Sequence, residues 1–195
     1  MAIIQNNHVS VSLIPEDEKV MAYVMAGCTL PRPVEVEDMH VSLLYAKRPI
    51  MGFSPKSDIV HSCEITGASI TYDPVIKAKN LVVTFDAPSL LQRRNEIMAH
   101  YRVDSIFNEA FVPQMVIVFN MPDFNSTYKP WINQMMNDFN TKWKGTFLRF
   151  SGELLESTDS GMDASGEVNT KEALITQTLV QDQKDAQQER NEQGL

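Results

Sequence analysis

The first clear pattern is His8-Val9-Ser10-Val11-Ser12-Leu13-Ile14, where apolar and polar residues alternate as on a strand with one buried face. Pro15 then opens a helix through about Gly27, with Glu16, Asp17 and Glu18 in the first turn, where acids suit the helix dipole. Leu30-Pro31-Arg32-Pro33 is an extended connector, because each proline pushes the residue before it out of helical space. Strand patterns follow over 39–45, 59–72 and 80–85. The spacing of Leu90, Leu91, Arg94, Ile97, Met98 and Tyr101 by threes and fours predicts a helix over 89–101. Beyond it the pattern gives a strand over 112–119, a helix over 128–142 and a last strand over 146–150.

Strand–helix–strand thus occurs twice, in 8–45 and again in 80–119, with little side-chain identity between the two halves. Alternating polar positions point to antiparallel pairing with one exposed face. The expected class is α+β: duplicated halves forming a curved antiparallel sheet with helices on its outer side. This domain is expected to span 1–151. Residues 152–168 (GELLESTDSGMDASGEV) are acidic and poorly patterned, and read as a linker. Asn169 followed by Glu172 resembles a capping box. Ile175, Leu179 and Ala186, widened by Leu174 and Val180, then line one face of an amphipathic helical tail over 169–195. That stripe is too narrow to fold alone, so the tail is expected to dock on a protein partner or on another copy of the chain.

Composition sharpens the division. Of the 25 acids, ten lie in 152–195 against three bases, so the tail carries −7 of the net −8. The first 151 residues keep 14 of the 17 bases and 15 of the 25 acids, and all sixteen aromatic residues. A near-neutral body argues against a face for long nucleic acid, which needs many phosphate contacts. It leaves room for a small anionic ligand. No apolar run approaches the roughly 18 residues of a membrane span, and the N-terminus shows no export signal. Cys28 and Cys63 sit in no CxxC or Cys/His pattern and read as reduced thiols of an intracellular protein. No metal-ligand spacing, phosphate-cradling glycine loop or nucleophile elbow is visible, so neither metal nor cofactor is expected.

The informative stretch is Pro31 to Tyr45, and within it His40-Val41-Ser42. His-x-Ser on a strand places the imidazole and the hydroxyl on one face. Such a pair can hold a phosphate oxygen with the hydroxyl and move a proton with the imidazole. Taken alone, the spacing is a weak pattern that favours a half-exposed strand histidine. Its setting is more specific: a strand, a helix, a Leu-Pro-x-Pro-Val connector, then Glu37-Asp38-Met39-His40-Val41-Ser42-Leu43-Leu44-Tyr45. Over about residues 8–156 this arrangement resembles the two-histidine (2H) phosphoesterase superfamily, and within it the bacteriophage anti-CBASS phosphodiesterases, which cleave cyclic oligonucleotides. The second half looks similar too, in Leu81-Val82-Val83-Thr84-Phe85-Asp86-Ala87-Pro88, an Arg-rich helix, and Phe111-Val112-Pro113.

The resemblance implies two His-x-Thr/Ser motifs, one in each half. The first maps onto His40 and Ser42. Where the second should follow Pro113, the chain reads Gln114-Met115-Val116. Glutamine exchanges no proton near neutral pH and valine donates no hydrogen bond. Loss of one positioned acid or base costs about 10²–10⁴-fold in rate. His8-Val9-Ser10 repeats the spacing on the first strand; near the terminus it reads as a solvent-facing histidine, the alternative being a place in the same cleft. His61 and His100 read as lone surface or partly buried residues, and Trp131 and Trp143 as packing anchors. Lys47, Arg48, Lys77, Lys79, Arg93 and Arg94 are the bases available for a phosphate pocket.

Two functions are therefore expected. One is a catalytically degenerate phage protein of this fold, serving as a virion or assembly module or as a nucleotide-binding module. The other is an active phosphodiesterase on cyclic oligonucleotides, with His40 as acid/base. Either would work in the host cytoplasm during infection, the first also within the virion.

Overall fold

The computed structural model describes residues 4–73, 78–106, 110–121 and 127–159. Two compact units divide the chain: Asn6–Glu156, and a second of residues 1–5 with 157–195, of which residues 4–5 and 157–159 are described, as strand. The helical tail expected over 169–195 lies outside the described residues, as does most of the linker.

Among the described residues six strands and three helices follow in the order β1 (Ile4–Leu13), α1 (Pro15–Ala26), β2 (His40–Tyr45), β3 (His61–Asp73), β4 (Ala78–Asp86), α2 (Pro88–Tyr101), β5 (Gln114–Val118), α3 (Lys129–Thr141) and β6 (Phe147–Asp159). A single 3₁₀ turn, Val36–Asp38, leads into β2. The class is α+β and the pairing is antiparallel. The curved antiparallel sheet closes into a barrel in the order β1-β2-β5-β4-β3-β6. β1–α1–β2 and β4–α2–β5 are the two strand–helix–strand stretches seen in the pattern, and their second strands are neighbours. Val41 of β2 faces Met115 of β5 in register.

Each helix begins with proline at its first or second position, where the missing N–H costs nothing. Asp17 in the first turn of α1 is buried and takes three hydrogen bonds from Arg149 of β6: the backbone N–H at 2.6 Å, Nε at 3.2 Å and Nη2 at 2.7 Å. α3 is held to β3 by Asn140, whose Oδ1 accepts from the Ala68 N–H and whose Nδ2 donates to the Ala68 carbonyl, both at 3.1 Å. The core joins one face of the strands, with Val9, Val11, Val41, Met115 and Phe150, to buried residues of the helices, with Phe85 and Phe150 edge-on at 5.4 Å.

Two irregularities shape the face opposite the core. Between β1 and β2 the register runs Ser12↔His40, Val11↔Val41, Ser10↔Ser42, then jumps to Val9↔Leu44 and His8↔Tyr45. Leu43 is the extra residue of a bulge, so Leu43 and Leu44 are both buried and Tyr45 turns outward one position late. The second lies in β6. Its inward positions are Leu148 and Phe150, then Glu153, with Gly152 between them at φ +68°. A glycine in this left-handed conformation is what a bulge of this kind requires.

Residues 152–159, expected to start an acidic linker after Ser151, are instead the second half of β6.

Candidate functional site

On the face opposite the core, β2 presents His40, Ser42 and, after the bulge, Tyr45. Antiparallel pairing about Val41↔Met115 sets Ser42 beside Gln114 and His40 beside Val116. The first motif and the positions of its expected counterpart are thus brought together, one on each strand. Gln114 is exposed and Val116 half-buried.

His40 is half-buried, and its Nδ1 donates to the Asp38 carbonyl at 2.8 Å. A carbonyl only accepts, so the proton of the neutral ring sits on Nδ1 and Nε2 is the basic nitrogen. The 3₁₀ turn before β2 supplies that carbonyl.

His8 corrects the solvent-facing expectation. It is 4% exposed, on β1 beside β2. Its Nδ1 lies 3.1 Å from Glu156 Oε2 and its Nε2 3.1 Å from Ser42 Oγ. The carboxylate accepts a hydrogen bond from Nδ1–H, which leaves Nε2 to accept from the serine hydroxyl. The Tyr45 ring stacks on the imidazole at 4.1 Å and 6°, and its hydroxyl is 3.5 Å from Ser42 Oγ. The His8 and His40 ring centroids are 5.9 Å apart, edge to face. Two histidines therefore share the face, on β1 and β2 rather than on β2 and β5.

Both bulges are needed for this. A regular register would set Leu44 opposite His8, and unbroken alternation in β6 would turn Glu156 inward. The sequence held signals for each: two consecutive leucines in a strand that otherwise alternates, and a glycine just after the last strand assigned.

Three of the six bases available for a phosphate pocket are engaged elsewhere. Arg93 is buried in a two-pronged ion pair with Glu153, Nε–Oε1 at 2.5 Å and Nη2–Oε2 at 2.9 Å. Glu153 also accepts from the Lys56 N–H at 2.8 Å. The Arg94 guanidinium lies over the Phe111 ring at 5.1 Å, and Arg48 donates to the Arg102 carbonyl. Lys47 and Lys79 are exposed, and Lys77 lies outside the described residues.

Next to the Arg93–Glu153 pair, His61 is 3% exposed and neither ring nitrogen has a hydrogen-bond partner. Burial pushes its pKa below the ordinary histidine value, with Arg93 acting in the same direction against the pull of Glu153 and Glu96. For Glu153 burial acts upward, but the hydrogen bonds and charge of Arg93 and the Lys56 N–H win and hold it below the usual carboxylate range. Burial pushes the Cys63 thiol up to about 12, and Cys28 and Cys63 are both free, as expected. His100 is exposed, Trp143 packs against the core, and Trp131 is 39% exposed, a weaker anchor than expected.

Among the described residues no group of three or more His, Cys, Asp or Glu is arranged to hold a metal ion, and no helix is long and apolar enough to cross a membrane. A depression on the outer side of α2, lined by Pro88, Leu91, Gln92, Asn95, Glu96 and Ala99, shares no residue with the His8–His40 face. No family model and no curated protein matches the chain.

Proposed function

We propose that the face carrying His40 and Ser42 binds a phosphoester of a nucleotide, a cyclic oligonucleotide above all, on a 2H phosphoesterase-like barrel whose second motif is degenerate. The observation that carries this reading is the register Val41↔Met115. It juxtaposes a His-x-Ser pair with Gln114 and Val116 at the centre of two adjacent strands, the placement that paired His-x-Thr/Ser motifs would require. With glutamine and valine there, proton transfer from both sides of the phosphate by the two motifs does not operate.

The acidic tail favours a protein partner or self-association, and so a virion or assembly role in an infected host's cytoplasm. The second reading, an active phosphodiesterase, is favoured by one observation: His8 lies beside His40. The test is to titrate purified protein with a panel of cyclic di- and trinucleotides, scoring binding and cleavage separately. Binding without two-motif turnover is expected, and both Ser42→Ala and His40→Ala should weaken it.

A further inference from the structure

Glu156, His8 and Ser42 form an unbroken chain of contacts: carboxylate to Nδ1 at 3.1 Å, Nε2 to hydroxyl at 3.1 Å. A hydroxyl within hydrogen-bond reach of an imidazole, itself oriented by a third group, is the arrangement that turns serine into a nucleophile. Burial assigns the roles. His8 is 4% exposed beneath Tyr45, whereas Ser42 is half-exposed. A ligand on this face meets the serine oxygen, and the imidazole acts on it through that oxygen.

We infer that Ser42 is a nucleophile toward phosphodiesters, with His8 as its base, Glu156 as the residue that positions His8, and His40 as the acid for the leaving oxygen. The chemistry rests on the reading of this face as a phosphoester site. Ser42 Oγ forms a bond to phosphorus while its proton passes to His8 Nε2. The phosphorus–oxygen bond to the leaving group breaks, and the leaving oxygen takes a proton from the imidazolium form of His40. Water then attacks the phosphoseryl ester, and its proton goes to the deprotonated His40. The phosphorus–Oγ bond breaks, Oγ recovers its proton from His8, and both histidines return to their starting states. This route needs neither Gln114 nor Val116, and it moves the second acid/base group from β5 to β1.

A small dialkyl fluorophosphate tests the inference without a nucleotide, since attack by Ser42 expels fluoride and leaves a stable phosphoryl adduct. Peptide mass spectrometry should find that adduct on Ser42 of the full chain and on no peptide of Ser42→Ala. His8→Gln should label at least about 100-fold more slowly, the usual worth of a positioned base. His8→Gly should regain labelling on addition of imidazole, which a structural role for His8 would not produce. Glu156→Gln should slow labelling and Glu156→Asp should recover part of it. No adduct at Ser42 in the folded native chain, or His8→Gln labelling as fast as native, overturns the inference. Labelling at Ser42 in a chain that binds no nucleotide would keep the nucleophile and overturn the phosphoester reading beneath it.

Discussion

His8 Nε2 and Ser42 Oγ lie 3.1 Å apart across the β1–β2 pair, although 34 residues separate them in the chain. Neither residue alone carries much information. Their contact gives the outer face an acid/base group that a reading confined to β2 and β5 lacks.

Restoring the second motif is the most direct engineering test of the barrel's geometry. Gln114→His with Val116→Thr puts an imidazole and a hydroxyl on the outward face of β5, beside Ser42 and His40. The double variant should gain phosphodiesterase activity on cyclic oligonucleotides by about 10²-fold or more over the native chain, the range expected for one restored acid/base group. An unchanged rate in a folded variant would show that the cleft does not accept the phosphate between β2 and β5.

The buried ion pair should dominate local stability. Glu153 has a side chain with no exposed surface, and Arg93 next to it is 9% exposed. Glu153→Ala should lower unfolding free energy by about 3–5 kcal/mol, because it strands a buried guanidinium. Urea denaturation measures this, and a loss below about 1 kcal/mol, the worth of a surface pair, would contradict the burial of the pair.

Stability should also fall in acid, in two steps of the same sign. The native pKa of His61 lies below the ordinary value near 6.5, so below that pH the unfolded chain takes a proton that the native chain refuses. The stability His61 contributes is complete above the unfolded pKa and is lost as pH falls toward the native one. Glu153, also depressed, adds a further loss below the ordinary 4.5 as pH falls through its native value. His61→Phe should flatten the first step in melting temperature against pH and leave the second. A slope that persists unchanged near pH 6 in that variant would assign the first step to another group.

The acidic tail is expected to mediate association. Truncation after Asp159 keeps β6 whole and should leave the melting temperature within a few degrees of native while abolishing any oligomer seen by light scattering. Truncation after Glu156 removes the last three residues of that strand and serves as the comparison. If the chain cut after Asp159 keeps its oligomeric state, the tail is not the docking element.

Regular periodicity made most of the fold legible. The alternation of His8 to Ile14, the threes and fours of α2 and the apolar run of β4 each met the element they implied, to within a few residues. What was not legible turns on the two bulges. The pattern stops short of the end of β6 because Gly152 shifts its buried parity and the next buried residue is Glu153, a charge whose partner Arg93 is 60 positions away. A buried carboxylate inverts the hydrophobic pattern, so a strand reads as a linker. Near the terminus His8 reads as solvent-facing; the extra residue at Leu43, which brings Tyr45 over its ring, belongs to the pairing of two strands and not to either one. In the same way Arg93 reads as a spare base in sequence, its carboxylate partner Glu153 lying on a distant strand.

Calorimetric titration of the full chain with cyclic di- and trinucleotides asks whether the His40–Ser42 face of β2 holds a nucleotide phosphoester, with Ser42→Ala and His40→Ala checked for native circular dichroism. Saturable binding of at least one cyclic oligonucleotide, weakened at least about tenfold by each substitution, or about 1.4 kcal/mol, is the expected result. Absence of binding across the panel, or binding that both substitutions leave untouched, would contradict it.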